Sequence, residues 1–383
     1  MLARDLMSDG HEVHLYCKEL HTDPPPGLEV HRMPRIPLGA SVGRLAFSAW
    51  ARRAVQRDAA RHGPYAITHG FGRTMGQDVY RMGGGCHPTY LDHAHGLEHP
   101  FWMRRLLRGA PLQRVKSAIE ARMLGGASPP HVIANSEMSR DDIMHRYGLP
   151  PGIMHVVRNG IDLERFHPPR EGEREAVRRA WGLREQDEVL LFLGNAYSRK
   201  GLGVLLRATA MLREERPNLR LVVGGQDRRA RRWKRMAQEL GLKDSIVWLG
   251  PIDSPEECYR GADLYVLPTL YDPAANSTLE ALACGLPVIT SAMNGAAEIL
   301  ESGLHGSVLL TPIRPSDLKA SLSEWLDRAR SEQVRLDTRR LASQFPAYIS
   351  CESTLDVYRT VLKDRAGPHD RKTFPKNTEV PAT

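Results

Sequence analysis

The stretch Ala262–Ser291, ADLYVLPTLYDPAANSTLEALACGLPVITS, decides the fold. It reads as strand, irregular loop, helix, strand. An apolar run ends at Leu267-Pro268, and a loop follows with Asp272, Pro273, Ala274, Ala275 and Asn276. The spacing predicts a helix from near Ser277 or Thr278 to Gly285, with Pro287 leading into the next strand. Continuous apolar strands around a helix indicate a parallel sheet covered on both faces. Ligands bind such sheets at the carboxyl ends of the strands. Asp272 and Glu280 are eight residues apart, one in the loop and one in the first turns of the helix. Free N–H groups at a helix start can hold a phosphate or sugar hydroxyls. A carboxylate such as Glu280 can accept two hydrogen bonds from a ribose diol. The plainer reading makes Glu280 a first-turn partner of the helix dipole.

The same alternation extends both ways along the chain. Short apolar runs fall at Val13–Cys17, Leu28–Met33, Ala66–His69, Asp78–Arg81, Val132–Asn135 and Met154–Arg158. After a break at His167-Pro168-Pro169-Arg170 a second series holds Val189–Leu193, Leu219–Val223, Ile246–Leu249, Leu264–Leu267, Val288–Thr290 and Val308–Leu310. Two such series imply two doubly wound, Rossmann-like α/β domains facing a cleft. We place the first at residues 1–165 and the second at 171–345. A closing helix, with its clearest pattern at Ser353–Leu362, lies in 346–366 and is expected to pack back on the first domain. The tail 367–383 is polar and rich in Pro, Lys and Asn, which predicts disorder.

Composition agrees with a globular enzyme-sized chain. At about 150 residues per domain, 383 residues allow two to three domains. Hydrophobic residues are 41% and charged residues 26%, which excludes disordered and collagen-like classes. No apolar run approaches the ~18 residues of a membrane-spanning helix. Five scattered cysteines with no C-x-x-C pair argue against a disulfide framework or a structural zinc site. They suit a reducing, cytoplasmic compartment. The net charge of +8 points to anionic partners, phosphates or a membrane surface among them. Nucleic acid would need a recognisable module, and none is present.

The chain opens on MLARDLMSDGHEVHLYC, the back half of an amphipathic helix followed at once by a strand. Gly10 sits where a helix C-cap belongs. The expectation is that the first strand of the N-terminal domain, its loop and half a helix are missing, roughly 20 residues by usual element lengths. That strand is central in a doubly wound sheet, so its loss would leave the first domain poorly packed.

Further motifs carry charge or glycine. In LLFLGNAYSRKG, Leu190–Gly201, Arg199 and Lys200 lie just before a helix that opens at Gly201. Two cations beside a helix N-terminus make a diphosphate site. Gly83-Gly84-Gly85 precedes His87, and such glycines let backbone approach a ligand. His93, His95 and His99 lie nearby in what reads as a polar loop, and we assign them no metal. The segment Phe101–Leu124 is basic and amphipathic, suited to an anionic membrane surface or to a core-packed helix with a solvated Arg face. RRARRWKR, Arg228–Arg235, reads as a solvated helix face.

These motifs together resemble the retaining group 1 glycosyltransferases, family four, with the two-domain GT-B architecture. The resemblance runs through NGID at Asn159–Asp162, GNAYSRKG at Gly194–Gly201, VVGGQD at Val222–Asp227 and LEALACGLPVIT at Leu279–Thr290. DVYRMGGGCHPTYL, Asp78–Leu91, is similar to the lipopolysaccharide-core α-glucosyltransferase branch. The resemblance implies that Glu280 holds the ribose of a nucleotide-sugar, a UDP-sugar by family habit, and that Arg199 and Lys200 neutralise its diphosphate. Asp272 stands where the family has a glutamate that touches the donor sugar, one methylene shorter. Gly194, Gly224, Gly225, Ala275, Asn276, Ser277 and Thr278 would line the donor, with backbone contacts from Ala274–Ser277. Gly84, Gly85 and His87 would lie on the acceptor side, His87 near the reaction centre. The implied activity is metal-independent and cofactor-free transfer of a hexose to a glycan or lipid-linked acceptor, in envelope polysaccharide synthesis. Peripheral contact with the inner face of the cytoplasmic membrane would follow. A truncated, inactive nucleotide-sugar-binding protein and a GT-B sugar-nucleotide epimerase remain alternatives.

Overall fold

The computed structural model describes residues 2–20, 22–34, 39–94 and 109–366. The first half contains α1 (Leu2–Ser8), β1 (His14–Cys17), β2 (Glu29–Arg32), α2 (Ala40–His62), β3 (His69–Gly70), β4 (Val79–Arg81) and α3 (His87–Ala94). It continues with α4 (Pro111–Leu124), β5 (His131–Ala134), α5 (Glu137–Tyr147) and β6 (Met154–Val156). Helix α1 ends as its glycine requires. Gly10 takes φ +82°, and His11 N–H returns to Leu6 O at 3.0 Å.

All described pairings in this half are parallel, but they form two sheets, not the single doubly wound one expected. β1 pairs with β2, and β3-β4-β5-β6 forms a separate four-stranded sheet. Each of β1 and β3 ends its own sheet. Burial follows. No side chain of α1 is buried, and all four residues of β1 are half-buried. The expected strand at Ala66–His69 shrinks to His69–Gly70 because only these two residues find a ladder partner, on Val79 and Tyr80.

The second half contains α6 (Glu173–Ala180), β7 (Glu188–Leu193), α7 (Leu202–Arg213), β8 (Leu219–Gly224), α8 (Ala230–Glu239), β9 (Ile246–Gly250), α9 (Pro255–Gly261) and β10 (Leu264–Leu267). Then come α10 (Asn276–Ala283), β11 (Val288–Ser291), β12 (Gly306–Leu309), α11 (Pro315–Arg328), α12 (Glu332–Ala342) and α13 (Ala347–Ala366). Its six strands form one parallel sheet in the order β12-β11-β10-β7-β8-β9. The central strands β7 and β10 are buried almost throughout, as continuous apolar runs demand. Arg228–Arg235 spans the start of α8, with its cations exposed and Trp233 buried.

The closing helix α13 is longer than the clear pattern at Ser353–Leu362. The chain re-enters the first half through a bridge. Ile161 N–H donates to Phe345 O at 2.9 Å, and Ala347 N–H to Ile161 O at 3.0 Å. Val357 and Val361 of α13 then pack on Val79, Ile133 and Val157, one face of the four-stranded sheet. The other face carries Tyr80, Met82, Val132 and Ala134 against Met123 and Leu124 of α4 and Ile143 of α5. Among the described residues no helix is long and apolar enough to cross a membrane. The tail 367–383 and residues 101–108 of the basic segment lie outside the described residues.

One buried carboxylate holds the second half together. Asp263 accepts from Arg178 at 2.7 Å, Arg330 at 3.1 Å, Val189 N–H at 2.8 Å, and Arg174. It thereby joins α6, β7, β10 and the approach to α12. Burial alone would raise its pKa, but the arginines prevail and pull it to about 2. Because the folded pKa is depressed, this stabilisation is present above an unfolded value near 4 and is lost as pH falls towards 2. Asp263→Ala is expected to cost about 3–5 kcal/mol, read by urea unfolding at pH 7, because it leaves buried guanidiniums unpaired.

Candidate functional site

The turn after β7 is built by the loop after β8. Ala196 takes a left-handed φ of +58°, a strained conformation for a residue other than glycine, and its N–H donates to Gln226 O at 3.1 Å. Tyr197 N–H donates to Asp227 at 2.8 Å, and its hydroxyl to Gly225 O at 2.8 Å. Gly201 caps α7 at φ +82°. A Cβ there would sit 1.9 Å from Pro268 O, so only glycine lets this turn meet the end of β10. Arg199 O then accepts from Leu270 N–H at 2.8 Å and the Thr269 hydroxyl at 3.0 Å.

This contact brings Arg199, Lys200 and Asp272 together. Asp272 Oδ2 accepts from Lys200 Nζ at 2.6 Å and Arg199 Nη1 at 2.8 Å. Arg199 Nη1 also donates to Tyr271 O at 3.0 Å. Asp272 is 7% exposed and Lys200 8%. Burial lowers the Lys200 pKa, and Asp272 opposes that shift. The carboxylate of Asp272 thus rests on the two cations. That arrangement differs from the free sugar contact expected at this position.

Glu280 stands apart from that trio. It is half-buried and accepts from the Tyr259 hydroxyl at 2.7 Å. Burial raises its pKa, while Tyr259 and Arg165 oppose the rise. Tyr259 is fully buried in α9, and the sequence reading missed it because its partner is 21 residues away. At the start of α10, Asn294 Oδ1 accepts from Ala275 N–H at 3.1 Å. The N–H groups of Asn276 and Ser277 meet no protein acceptor among the described residues. Asn276 Oδ1 accepts from Asn159 at 2.6 Å, across from the first half. Thr278 is buried. Its N–H goes to Ala275 O and its hydroxyl accepts from Asn294 at 3.0 Å, so its polar groups serve the fold.

The glycines divide by role. A Cβ on Gly225 would lie 2.2 Å from Gly194 O, and one on Gly224 would lie 2.6 Å from Leu193 Cδ2. A side chain at either position would collide with the end of β7, so both glycines allow a close approach of backbone there. The three atoms nearest to a Cβ on Gly194 would be Lys200 side-chain carbons, the first at 3.3 Å. Gly84 has open space, whereas a Cβ on Gly85 would lie 2.5 Å from the Tyr271 hydroxyl and 2.6 Å from Pro273 Cγ. The loop between β4 and α3 therefore meets the Tyr271–Asn276 loop directly.

Other contacts seat that loop on the first half. The Tyr271 hydroxyl donates to Asp142 at 3.2 Å, and His93 stacks on the Tyr271 ring. Glu298 accepts the first N–H groups of α5, Glu137 at 2.9 Å and Met138 at 2.6 Å, and Arg158 at 3.1 Å. A carboxylate on a helix N-terminus is favourable by charge and dipole together. His87 is 3% exposed at the start of α3, its N–H on Glu120 at 2.9 Å. Burial, with Arg73 and Lys116 adding, pushes its pKa down to about 4. His95 and His99 lie outside the described residues. Among the described residues, His14, Glu29 and His31 could share an ion, with ligand atoms within 4.8 Å of one another. A cavity of about 570 Å³ is lined by Glu173, Trp181, Leu249, Ile252, Glu257 and Arg260, and Arg199, Lys200, Asp272 and Glu280 do not line it.

Two α/β halves in contact, with cations and helix N–H groups at the carboxyl ends of the strands, define the GT-B class. Residues 1–165 match the glycosyltransferase family 4 model and residues 173–339 the glycosyl transferases group 1 model. A D-inositol 3-phosphate glycosyltransferase from Actinosynnema mirum is 32% identical over 309 residues, covering 78% of this chain and 70% of that protein. A second such enzyme, from Catenulispora acidiphila, is 31% identical over 61% of this chain, and the match spans 56% of that relative's length. Lipopolysaccharide glucosyltransferase WaaG of Escherichia coli is 26% identical over 86% of this chain and 84% of that protein. A crystal structure of WaaG, a glycosyltransferase involved in lipopolysaccharide biosynthesis, superposes with a TM-score of 0.79 at 24% identity, covering 93% of this chain and 94% of that one. The chain belongs to the group 1 glycosyltransferases and has their GT-B fold.

Asp272→Asn tests the trio. Lys200 would lose its counter-ion while still buried, so the protein should lose about 3 kcal/mol of stability. Pyrophosphate should then raise the melting temperature more in the variant than in the wild type. Equal shifts in the two proteins would disprove the pairing of Asp272 with the cations.

Proposed function

We propose that this glycosyltransferase moves a hexose from a nucleoside diphosphate sugar, a UDP-sugar in the first instance, to an acceptor hydroxyl with retention. The observation that carries this reading is the pair Arg199 and Lys200 beside the start of α10, where Asn276 and Ser277 offer N–H groups. Such a set suits a leaving diphosphate, whose charge grows as the glycosidic bond breaks. Arg199 and Lys200 would turn from Asp272 to the diphosphate oxygens. Glu280 would accept the ribose hydroxyls, with Tyr259 fixing its rotamer. The departing phosphate oxygen would take the acceptor proton on the same face of the sugar, which gives retention without a protein nucleophile. The cations of the protein would do the work a metal does elsewhere, so transfer is expected to proceed in EDTA.

The names of the relatives suggest acceptors. Inositol 3-phosphate and a lipopolysaccharide core are the first two to assay. The contact of Tyr271 and Pro273 with Gly85 supports an acceptor held between the halves, where water is excluded during transfer.

Glu280→Ala is expected to lower kcat/KM for transfer roughly 10- to 100-fold, the size of about 1.5–3 kcal/mol for hydrogen bonds to a charged group. Unchanged transfer by this variant would remove Glu280 from the donor site. Because burial raises the Glu280 pKa, the ionised form that accepts both hydroxyls is depleted as pH falls. Donor KM should therefore rise on acidification towards pH 5, and this rise should vanish in Glu280→Gln.

A further inference from the structure

A cluster of imidazoles and carboxylates lies on the two-stranded sheet, apart from the residues discussed above. Successive residues of a strand alternate in face, and β1 pairs with β2 so that His14 stands opposite Glu29 and Tyr16 opposite His31. His14, Tyr16, Glu29 and His31 therefore share one face. His14 Nδ1 lies 3.0 Å from His31 Nε2 and 3.8 Å from Glu29 Oε2. Ligand atoms of the three residues are all within 4.8 Å of one another. Two nitrogens on a tetrahedral zinc lie about 3.3 Å apart at Zn–N distances of ~2.05 Å, so the observed spacings bracket that edge.

The surroundings prepare these atoms for a cation. His14 Nε2 is 2.7 Å from Glu12 Oε1, and an ionised carboxylate only accepts. Neutral His14 therefore carries its proton on Nε2 and presents a lone pair from Nδ1 to His31. A carboxylate on the far nitrogen is the common partner of a metal-bound histidine. The His31 ring is stacked on the Tyr16 ring, 4.4 Å between centroids. Asp58 of α2 lies 3.6 Å from His31 Nε2 and accepts from the hydroxyls of Tyr16 and Tyr65. Charge points the same way. Among the described residues, Glu12, Glu29 and Asp58 make ion pairs with His14 and His31 and none with lysine or arginine, in a chain of net charge +8. Three carboxylates around two imidazoles suit a divalent cation. The side chain of His14 is 11% exposed and that of Glu29 60%, so an ion can enter past Glu29.

We propose that His14 Nδ1, His31 Nε2 and the Glu29 carboxylate bind a zinc-type divalent ion, with water at the fourth position. Two imidazoles and a carboxylate select a borderline ion over magnesium or calcium, which take oxygen ligands. The ion takes the place of the His31 Nε2 proton between the two rings, and that proton moves to His31 Nδ1 or to solvent. The role is structural. A two-stranded sheet is marginal alone, and no residue of β1 is fully buried. The ion joins β1 to β2 through side chains as well as through the ladder. It involves none of Arg199, Lys200, Asp272 and Glu280, so the proposal does not depend on the transfer reading.

Calorimetric titration of the metal-free full chain with zinc chloride tests the site. The wild type should bind one zinc with micromolar or tighter affinity. The double variant His14→Gln, His31→Gln should lose that event, and His145→Gln, at an exposed position of α5, should keep it. Glu29→Gln, at an exposed position, and Glu12→Gln should each weaken binding roughly tenfold or more. Cobalt(II) in place of zinc should give the visible absorption of a low-coordinate site in the wild type and not in the double variant. Zinc should raise the melting temperature of the wild type and leave that of the double variant unchanged. A cooperative melt of each metal-free protein shows that it is folded. A zinc isotherm identical in wild type and double variant overturns the site, as does a wild type that binds no zinc or an affinity unchanged in Glu29→Gln. Heat from magnesium chloride equal to that from zinc overturns the choice of ion.

Discussion

The carboxylate of Asp272 between Lys200 and Arg199 is the interaction on which the site depends. All its members hang from irregular segments, the turn before α7 and the loop after β10. The loop after β10 is held besides by a single parallel bridge, with Asp272 N–H on Met293 O and Gly295 N–H on Asp272 O, both at 2.8 Å. Lys200 and Asp272 are both buried, and removal of either would strand a charge in a poor dielectric. The pair therefore locks the two segments together, as Gly201 allows by letting Pro268 O approach. With its start fixed, the Tyr271–Asn276 loop can reach the first half, where Gly85 and Asp142 receive Tyr271. One ion pair thus governs both the charge available to a ligand and the contact of the halves.

This arrangement also sets a resting state. The cations suited to a diphosphate are not bare. An anion that took these cations would have to displace Asp272, held at 2.6 and 2.8 Å, so part of its binding energy would go into that exchange.

Much of the second half was legible as sequence because its strands are buried on both faces and read as unbroken apolar runs. Leu264–Leu267 and Val288–Ser291 needed no partner to be recognised. The first half was less legible. Residues 66–69 look like a strand, yet only His69 pairs, because ladder partners and not hydrophobicity end that strand. The break between β1-β2 and β3-β6 is a matter of pairing and leaves no local pattern. At the site, charge and glycine patterns located Arg199, Lys200, Asp272 and Glu280, but not what each touches. Tyr259 on Glu280, and Glu298 on α5, are contacts across 21 and about 160 residues, beyond any helical or strand period. The glycines at 224 and 225 were legible as places of close approach, and a Cβ on them would meet Leu193 and Gly194.

Glu298 shows why the join between the halves is specific and still separable. Its carboxylate caps α5 from the other half, satisfying N–H groups that would otherwise turn to water, and it holds Arg158 at the same time. These three contacts of Glu298 are exposed and polar. The apolar link is elsewhere, in α13, whose Val357 and Val361 belong to the first core although the helix follows the second half in sequence. The chain thus crosses between the halves twice, at Ile161 and at Phe345–Ala347, and those two strands are bonded to each other. A paired crossing is a natural hinge, since rotation there leaves both cores whole. The polar contacts at Tyr271, Asn276 and Glu298 join the halves beyond that crossing, and the Tyr271–Asn276 loop carries two of the three.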